Sequence, residues 1–201
     1  MSYRLTMLTF LTCSIILIGC ASNEQVSLTK RYETLPQGLQ RNAKLAQQLN
    51  GRAIAAIDED GFDTAEELLK EALSADVTFG PAHNNLGSVY LEQERYYLAA
   101  WEFEYAIRLM PSNPAPKNNL GLVFEAVGKT HAAIDQYAQA AEIAPDDPIY
   151  LGNEARARLR AGEHGPEVRM LLQDVVLKDE RQAWQQWARK RLVMMPKITP
   201  E

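Results

Sequence analysis

The segment of this sequence that comes closest to a catalytic motif is Gly128-Lys129-Thr130. The motif is the phosphate-binding loop of nucleotide hydrolases. That loop has four residues between its two glycines, whereas six residues separate Gly121 from Gly128. Gly121 also falls inside a segment with helical periodicity, where such a loop cannot form. Residues 128–130 are therefore predicted to form a turn between helices and to bind no nucleotide.

The acidic residues and the histidines lack the spacing of a metal site. Placing Gly61 at the sixth position of a calcium-binding loop puts Ala56 where the first acidic ligand must be. His83, His131 and His164 occur in no spacing such as H-E-x-x-H, so each is expected on the surface or in a turn. We therefore expect no metal, no cofactor and no enzyme active site.

The charge of the chain argues against nucleic acid as a partner. Asp and Glu number 26 against 21 Lys and Arg, which gives a net charge of -5 over 201 residues. A protein that binds phosphate backbones is expected to carry the opposite excess. The hydrophobic fraction of 46% is that of a folded globular chain, so the partner is sought among proteins, peptides and membranes.

The thiol of Cys20 is placed for covalent modification. The apolar run at residues 5–18 is too short to span a bilayer and has the length of the apolar region of a secretory signal. It ends in the sequence LIGCAS at positions 17–22, which resembles the lipobox of bacterial lipoproteins. The alternative is an ordinary secretory signal with an incidental cysteine.

The lipobox resemblance implies a modification and a location. Residues 1–19 would be removed as a signal peptide, and Cys20 would carry a diacylglycerol thioether and a further palmitate-type acyl chain. Ala21, in place of Asp, implies sorting to the outer membrane with the protein on the periplasmic side. Residues 20–37 are polar and contain Pro36, so they are predicted to be a lipidated, flexible tether.

A repeat of 34 residues organises the remainder of the chain. Residues 80–113 and 114–147 align without gaps and share eight identical positions. The identical pairs are Asn84/Asn118, Asn85/Asn119, Leu86/Leu120, Gly87/Gly121, Val89/Val123, Ala99/Ala133, Ala106/Ala140 and Pro111/Pro145. This pattern of Leu-Gly, small alanines and a closing proline resembles the tetratricopeptide repeat (TPR) family, which implies an all-α solenoid of helical hairpins.

The TPR resemblance defines the predicted domain and its units. The solenoid is expected over 38–193, with three to four repeats, a C-terminal capping helix and a tail at 194–201. Gly87 and Gly121 are expected where two helices approach closely. The fourth unit is expected to lose the register by about a residue after Pro166. The predicted units are 46–79, 80–113, 114–147 and 148–178, followed by a capping helix at 180–193.

Asparagine recurs on the first helices of the second, third and fourth units, and these helices are expected to line the concave wall of a TPR stack. An amide can both donate to and accept from the backbone of an extended peptide, so these residues are predicted to bind one. The alternatives are that they begin the helix or are solvated. Arg156 and Arg160 either add positive charge at one end of the groove or are solvated. The predicted groove residues are Asn84, Asn85, Asn118, Asn119, Asn153, Arg156 and Arg160.

Tyr97, Trp101 and Tyr105 form an aromatic stripe on the second helix of the 80–113 unit, where the other units have polar residues. An aromatic stripe on a polar convex face predicts a second interaction surface, for another protein or for a second copy of this chain. The alternative is that the tether or the tail folds over it.

The TPR resemblance implies a non-catalytic adaptor that binds a protein or peptide. With the lipobox, it predicts a role in envelope assembly, such as pilus or secretion assembly or the docking of cell-wall enzymes. The alternative is a helical-repeat enzyme or small-ligand binder, which would need a compact pocket with converging ionisable groups.

Overall fold

The computed structural model describes residues 41–196, and every regular element in that range is an α-helix. The helices are α1 (Ala43–Asp58), α2 (Phe62–Ala75), α3 (Gly80–Glu92), α4 (Tyr96–Leu109), α5 (Ala115–Ala126), α6 (Thr130–Ile143), α7 (Pro148–Arg160), α8 (Pro166–Lys178) and α9 (Gln182–Met194). None of these helices is long and apolar enough to cross a membrane. The predicted signal peptide, Cys20 and the tether lie outside the described residues.

Consecutive helices pack as hairpins, and the hairpins stack. Helix α1 packs on α2, α3 on α4, α5 on α6 and α7 on α8, while α2, α4 and α6 each also contact the helix that follows. Each helix alone exposes an apolar face, and stacking buries these faces in three hydrophobic clusters along the stack. The predicted all-α solenoid of helical hairpins is confirmed.

The turn inside each hairpin repeats with the 34-residue period in all four units. Asp60, Glu94, Gly128 and Gly162 have positive φ angles of 56°, 58°, 75° and 84°. Gly128 and Lys129 therefore lie in a hairpin turn, as predicted, and Thr130 is the first residue of α6. The register is lost only afterwards, because α8 begins at Pro166, two residues later than the period that relates the starts of α2, α4 and α6.

Gly87 and Gly121 lie where an aromatic ring from the second helix of the hairpin fills the space of a side chain. A Cβ atom at Gly87 would be 2.7 Å from Cε1 of Phe103, and one at Gly121 would be 2.5 Å from Cε1 of Tyr137. Both rings are fully buried. Only glycine permits these contacts, which confirms the predicted close approach.

Helix α9 covers the open end of the stack. Ala188 is buried, and Trp184, Trp187 and Leu192 pack against the core formed with α7 and α8. The helix continues to Met194, and the side chain of Met195 is buried in the same core, so the predicted tail begins later than residue 194. The reason is the spacing of Ala188, Leu192 and Met195, which keeps Met195 on the apolar face.

Candidate functional site: the inner wall of the stack

The first helices of the four hairpins form one wall of the stack. Helix α1 contacts α3, α3 contacts α5 and α5 contacts α7, in addition to the contacts within each hairpin. In a curved solenoid the helices that approach one another across repeats are those on the concave side. Helices α1, α3, α5 and α7 are therefore assigned to the inner wall.

Six asparagine side chains on this wall form a continuous hydrogen-bonded chain, the amide ladder. Three bonds cross between repeats and two join neighbouring residues within one helix. The Nδ2 to Oδ1 distances are 2.7 Å from Asn153 to Asn118, 3.3 Å from Asn118 to Asn119, 3.2 Å from Asn119 to Asn84, 3.4 Å from Asn84 to Asn85 and 2.9 Å from Asn85 to Asn50. The bonds between repeats are shorter than those within a helix, so they are the stronger connections.

The ladder ends where an asparagine would have no partner. In the first unit the position after Asn50 is Gly51, and in the fourth the position before Asn153 is Gly152. No helical hairpin precedes α1 among the described residues, and in place of a fifth hairpin the ring of Trp184 packs over Gly152. Asparagine thus occurs at each of these positions where a neighbouring repeat can bond to it. The amide ladder therefore joins successive repeats.

The amide ladder changes the interpretation of the predicted groove residues. Asn118 and Asn153 are buried, as is Asn50, which the prediction omitted. Asn50 could have been found from the sequence because it lies 34 residues before Asn84. These three are held inside the wall because their amides bond to other asparagines, contrary to the predicted exposure of Asn118 and Asn153 to a ligand.

The other three asparagines are half-buried and keep unused hydrogen-bonding capacity. Asn84, Asn85 and Asn119 each donate one N–H to the ladder, and an amide group carries a second. They are placed to meet a ligand on the inner wall. Their binding of a peptide stays a prediction.

A second row of side chains runs parallel to the ladder, one helical turn along each inner helix. Its members are Ile54, Ser88, Leu122 and Arg156, each 34 residues after the last. Residues four apart on a helix share a face, so this row borders the ladder. Ile54 is exposed and the other three are half-buried. We call these four residues the groove row.

Arg156 and Arg160 are bound to one carboxylate. Both guanidinium groups pair with Glu125 of α5, Arg156 at 3.0 Å, and the hydroxyl of Tyr137 donates to the same carboxylate at 2.8 Å. Burial would raise the pKa of Glu125, but the hydrogen bonds from Arg156 and Tyr137 and the charges of both arginines outweigh it and lower the pKa. The two arginines are thus tied to the preceding repeat, and one positive charge remains in excess.

The aromatic stripe on α4 is divided between surface and interior. Tyr97 is 80% exposed and Trp101 is 52% exposed. Tyr105 is half-buried, and its ring stacks on His83 with the centroids 5.1 Å apart. Tyr97 and Trp101 therefore form the exposed part of the predicted second surface, while Tyr105 also has a packing role.

His83 is buried, which corrects its expected place on the surface or in a turn. Its Nδ1 lies 2.6 Å from the carboxylate of Glu102, and its Nε2 lies 2.9 Å from the carbonyl oxygen of Val77. Burial favours the neutral ring, but the hydrogen bonds to Glu102 and Val77 and the charge of Glu102 raise the pKa of His83. Its partners are non-local or backbone groups, so sequence spacing carried no signal for them.

A broad hollow of about 550 Å³ between α6, α7 and α8 is lined in part by ionisable side chains. Arg158 is the single cation among its described lining residues, and it is paired with Glu154 at 2.8 Å and with Glu163 at 2.8 Å. Within residues 41–196 no group of three or more His, Cys, Asp or Glu is arranged to hold a metal ion.

Comparisons with known proteins agree with this architecture. Residues 50–114 match the tetratricopeptide repeat family model. The cell division cycle protein 16 homologs of Mus musculus and Homo sapiens are each 26% identical over 165 residues, covering 70% of this chain and 26% of theirs. The chain thus spans about a quarter of the length of these curated relatives.

Solved structures share the fold at low sequence identity. Pseudomonas aeruginosa pilF is 22% identical with a TM-score of 0.68, over 74% of this chain and 68% of that one. MamA is 23% identical with a TM-score of 0.62, over 69% and 80% of the two chains. The first TPR of Spaghetti (RPAP3), bound to the HSP90 peptide SRMEEVD, is 17% identical with a TM-score of 0.60, over 63% and 100% of the two chains.

Proposed function

We propose that this chain, whose residues 50–114 match the tetratricopeptide repeat family model, is a non-catalytic adaptor that binds a protein or peptide partner on its inner wall. It is anchored in the outer membrane through lipid on Cys20 and faces the periplasm. Its partner belongs to an envelope assembly, either in pilus or secretion assembly or in the docking of cell-wall enzymes.

The observation that carries this proposal is the composition of the inner wall. Ile54, Ser88 and Leu122 of the groove row would supply small and apolar contacts, and the half-buried asparagines beside them each carry a second N–H group for a hydrogen bond to a peptide backbone. An extended peptide needs both kinds of contact along its length. A protein of the same fold, RPAP3, has been seen with a peptide bound.

The membrane anchor rests on the lipobox sequence at positions 17–22. Thioether-linked diacylglycerol and a further acyl chain exceed the two lipid signals that stable anchoring requires. A tether of polar residues would then hold the repeat stack away from the lipid surface. The arrangement suits an adaptor that must reach a partner in the periplasm.

The exposed pair Tyr97 and Trp101 supports a second contact, with another protein or with a second copy of this chain. Large aromatic residues at a protein surface are typical of interaction sites. This second contact would allow the inner wall and the outer face to be occupied together.

Site-specific photo-crosslinking in living cells tests the proposal. A photoreactive phenylalanine analogue replaces Ser88 on the inner wall in one strain and Trp101 on the outer face in another. Capture of a distinct envelope protein from Ser88 is the expected result, identified by mass spectrometry. Crosslinks from Trp101 alone would move the binding site to the outer face and remove the groove from the proposal.

A further inference from the structure

The groove row ends at an apolar cavity. This cavity of about 250 Å³ is lined by Arg156, Ala183, Trp184 and Trp187. The two indole rings meet edge to face, with centroids 5.2 Å apart at 68°. Trp184 packs over Gly152, one helical turn before Arg156 on α7, so the cavity continues the face of α7 that borders the ladder.

The volume of the cavity limits the size of the group that can bind in it. Pockets for whole small molecules usually measure about 300–1,000 Å³, and this one is smaller. It has room for a single large side chain. Two indole walls favour an aromatic or a large aliphatic group, because such groups lose the most contact with water on burial.

The positive charge beside the cavity favours an acidic group next to that side chain. Arg156 and Arg160 share the single carboxylate of Glu125, which leaves one positive charge unpaired. Arg160 keeps 61% of its side chain exposed, so its free N–H groups can reach a ligand. A guanidinium group at the rim of an apolar cavity favours a carboxylate from the partner.

We infer that the Arg156–Trp184–Trp187 cavity is an anchoring subsite for a partner peptide in which a large apolar side chain lies next to a carboxylate. The apolar side chain enters the cavity and packs against the two indole rings, and the carboxylate pairs with Arg160 and Arg156. This inference rests on the proposed function, because it assumes that a peptide lies along the groove row.

The test compares three full-length variants with the wild-type protein. Ala183→Phe fills the cavity from an exposed position without removing a core side chain. Lys190→Phe is the matched control, since Lys190 is exposed on the same helix but does not line the cavity. Ile54→Arg combined with Ser88→Arg blocks the groove row. Each protein is used to select binders from a library of short random peptides displayed on phage.

Selected peptides are then synthesised and titrated in a Trp101→Phe background. The chain has three tryptophans, so the two that remain both line the cavity and their fluorescence reports its occupancy. Ala183→Phe is expected to weaken binding about ten-fold or more, the amount that burying one large apolar side chain provides. Lys190→Phe is expected to bind as the wild type does.

The outcomes separate the two proposals. Wild type and Lys190→Phe should select peptides that pair a large apolar residue with an acidic one, and Ala183→Phe should not. Selection of the same pairs by Ala183→Phe would overturn the subsite while leaving the groove in place. If the wild type selects no more peptides than the variant with a blocked groove row, the proposed function fails and the subsite fails with it.

Discussion

The side chain of Asn153 donates a hydrogen bond to Asn118, 35 residues earlier in the chain, at 2.7 Å in the interior of the repeat stack. The same contact recurs between Asn119 and Asn84 and between Asn85 and Asn50. Each bond joins two successive repeats. The stability of a solenoid depends on such interfaces between neighbours, so the amide ladder is a determinant of the cooperativity of the stack.

Breaking the Asn118–Asn153 bond should destabilise the protein. In Asn153→Ala, the buried Oδ1 of Asn118 loses its donor, and an unsatisfied buried polar group costs about 1–3 kcal/mol. The free energy of unfolding, measured by urea denaturation followed by circular dichroism, should fall by that amount. A double-mutant cycle with Asn118→Ala should give a coupling energy of about 0.5–1.5 kcal/mol.

The matched control for this cycle is the pair Asn50 and Asn153. Both are buried members of the ladder, but two repeats separate them and they share no hydrogen bond. Their alanine substitutions should add within about 0.5 kcal/mol. A coupling energy as large as that of Asn118 with Asn153 would show that the effect is not carried by the direct bond.

A methyl group at Gly121 should also destabilise the stack. The new Cβ atom would lie 2.5 Å from Cε1 of Tyr137, whose ring is fully buried and whose hydroxyl is bonded to Glu125. Displacing that ring should reduce the free energy of unfolding by about 1–3 kcal/mol, measured in the same way. Gly51→Ala is the control, because its Cβ would meet no atom within 4 Å. Equal stability for Gly121→Ala and the wild type would refute the close contact.

Local pattern was sufficient to predict the helices, because the 34-residue period fixes the turns and the glycines that permit close packing. It was not sufficient for the groove. An asparagine side chain can bond either to a ligand or to the neighbouring repeat. The distance between α5 and α7 determines which of the two it contacts, and the sequence pattern does not contain that distance. Gly152 could have indicated the answer, since it stands where the asparagine pattern breaks.

The charged side chains were predicted least well, for a related reason. The sequence predicts that Arg160 adds positive charge to the groove or is solvated, but its side chain pairs with Glu125, 35 residues earlier in the chain. His83 reads as a surface residue, yet Glu102 and the carbonyl of Val77 satisfy both ring nitrogens inside the fold. Such pairings depend on how the helices pack against one another, within a hairpin for His83 with Glu102 and between repeats for Arg160 with Glu125, and sequence spacing does not contain that information.

The pairing of His83 should make stability depend on pH. Its pKa is raised in the folded state, so the protonated ring stabilises the fold. That contribution should be complete below the unfolded pKa of about 6.5 and should be lost as the pH rises through the higher folded value. Urea denaturation across this range should show the decline, and His83→Gln should reduce its slope. A wild-type curve parallel to that of His83→Gln would contradict the assignment.

Cys20 should be required for membrane association. Cys20→Ala removes the thiol of the LIGCAS sequence, so the protein should leave the membrane fraction or remain unprocessed. Cys13→Ala is the matched control, since Cys13 lies within the apolar run and should be removed with the signal peptide. Mass spectrometry of the mature N-terminus gives the readout. An unmodified N-terminus in the wild-type protein, together with unchanged membrane fractionation of Cys20→Ala, would refute lipidation.

The most direct measurement of peptide or protein binding on the inner wall is calorimetric titration of the partner captured from Ser88. The groove variant carries Ile54→Arg and Ser88→Arg, and the outer-face variant carries Tyr97→Ser and Trp101→Ser; circular dichroism verifies that both are folded. The groove variant should bind the partner about ten-fold or more weakly than the wild type, and the outer-face variant should bind with unchanged affinity. Wild-type affinity in the groove variant, with loss of binding in the outer-face variant, would contradict binding on the inner wall.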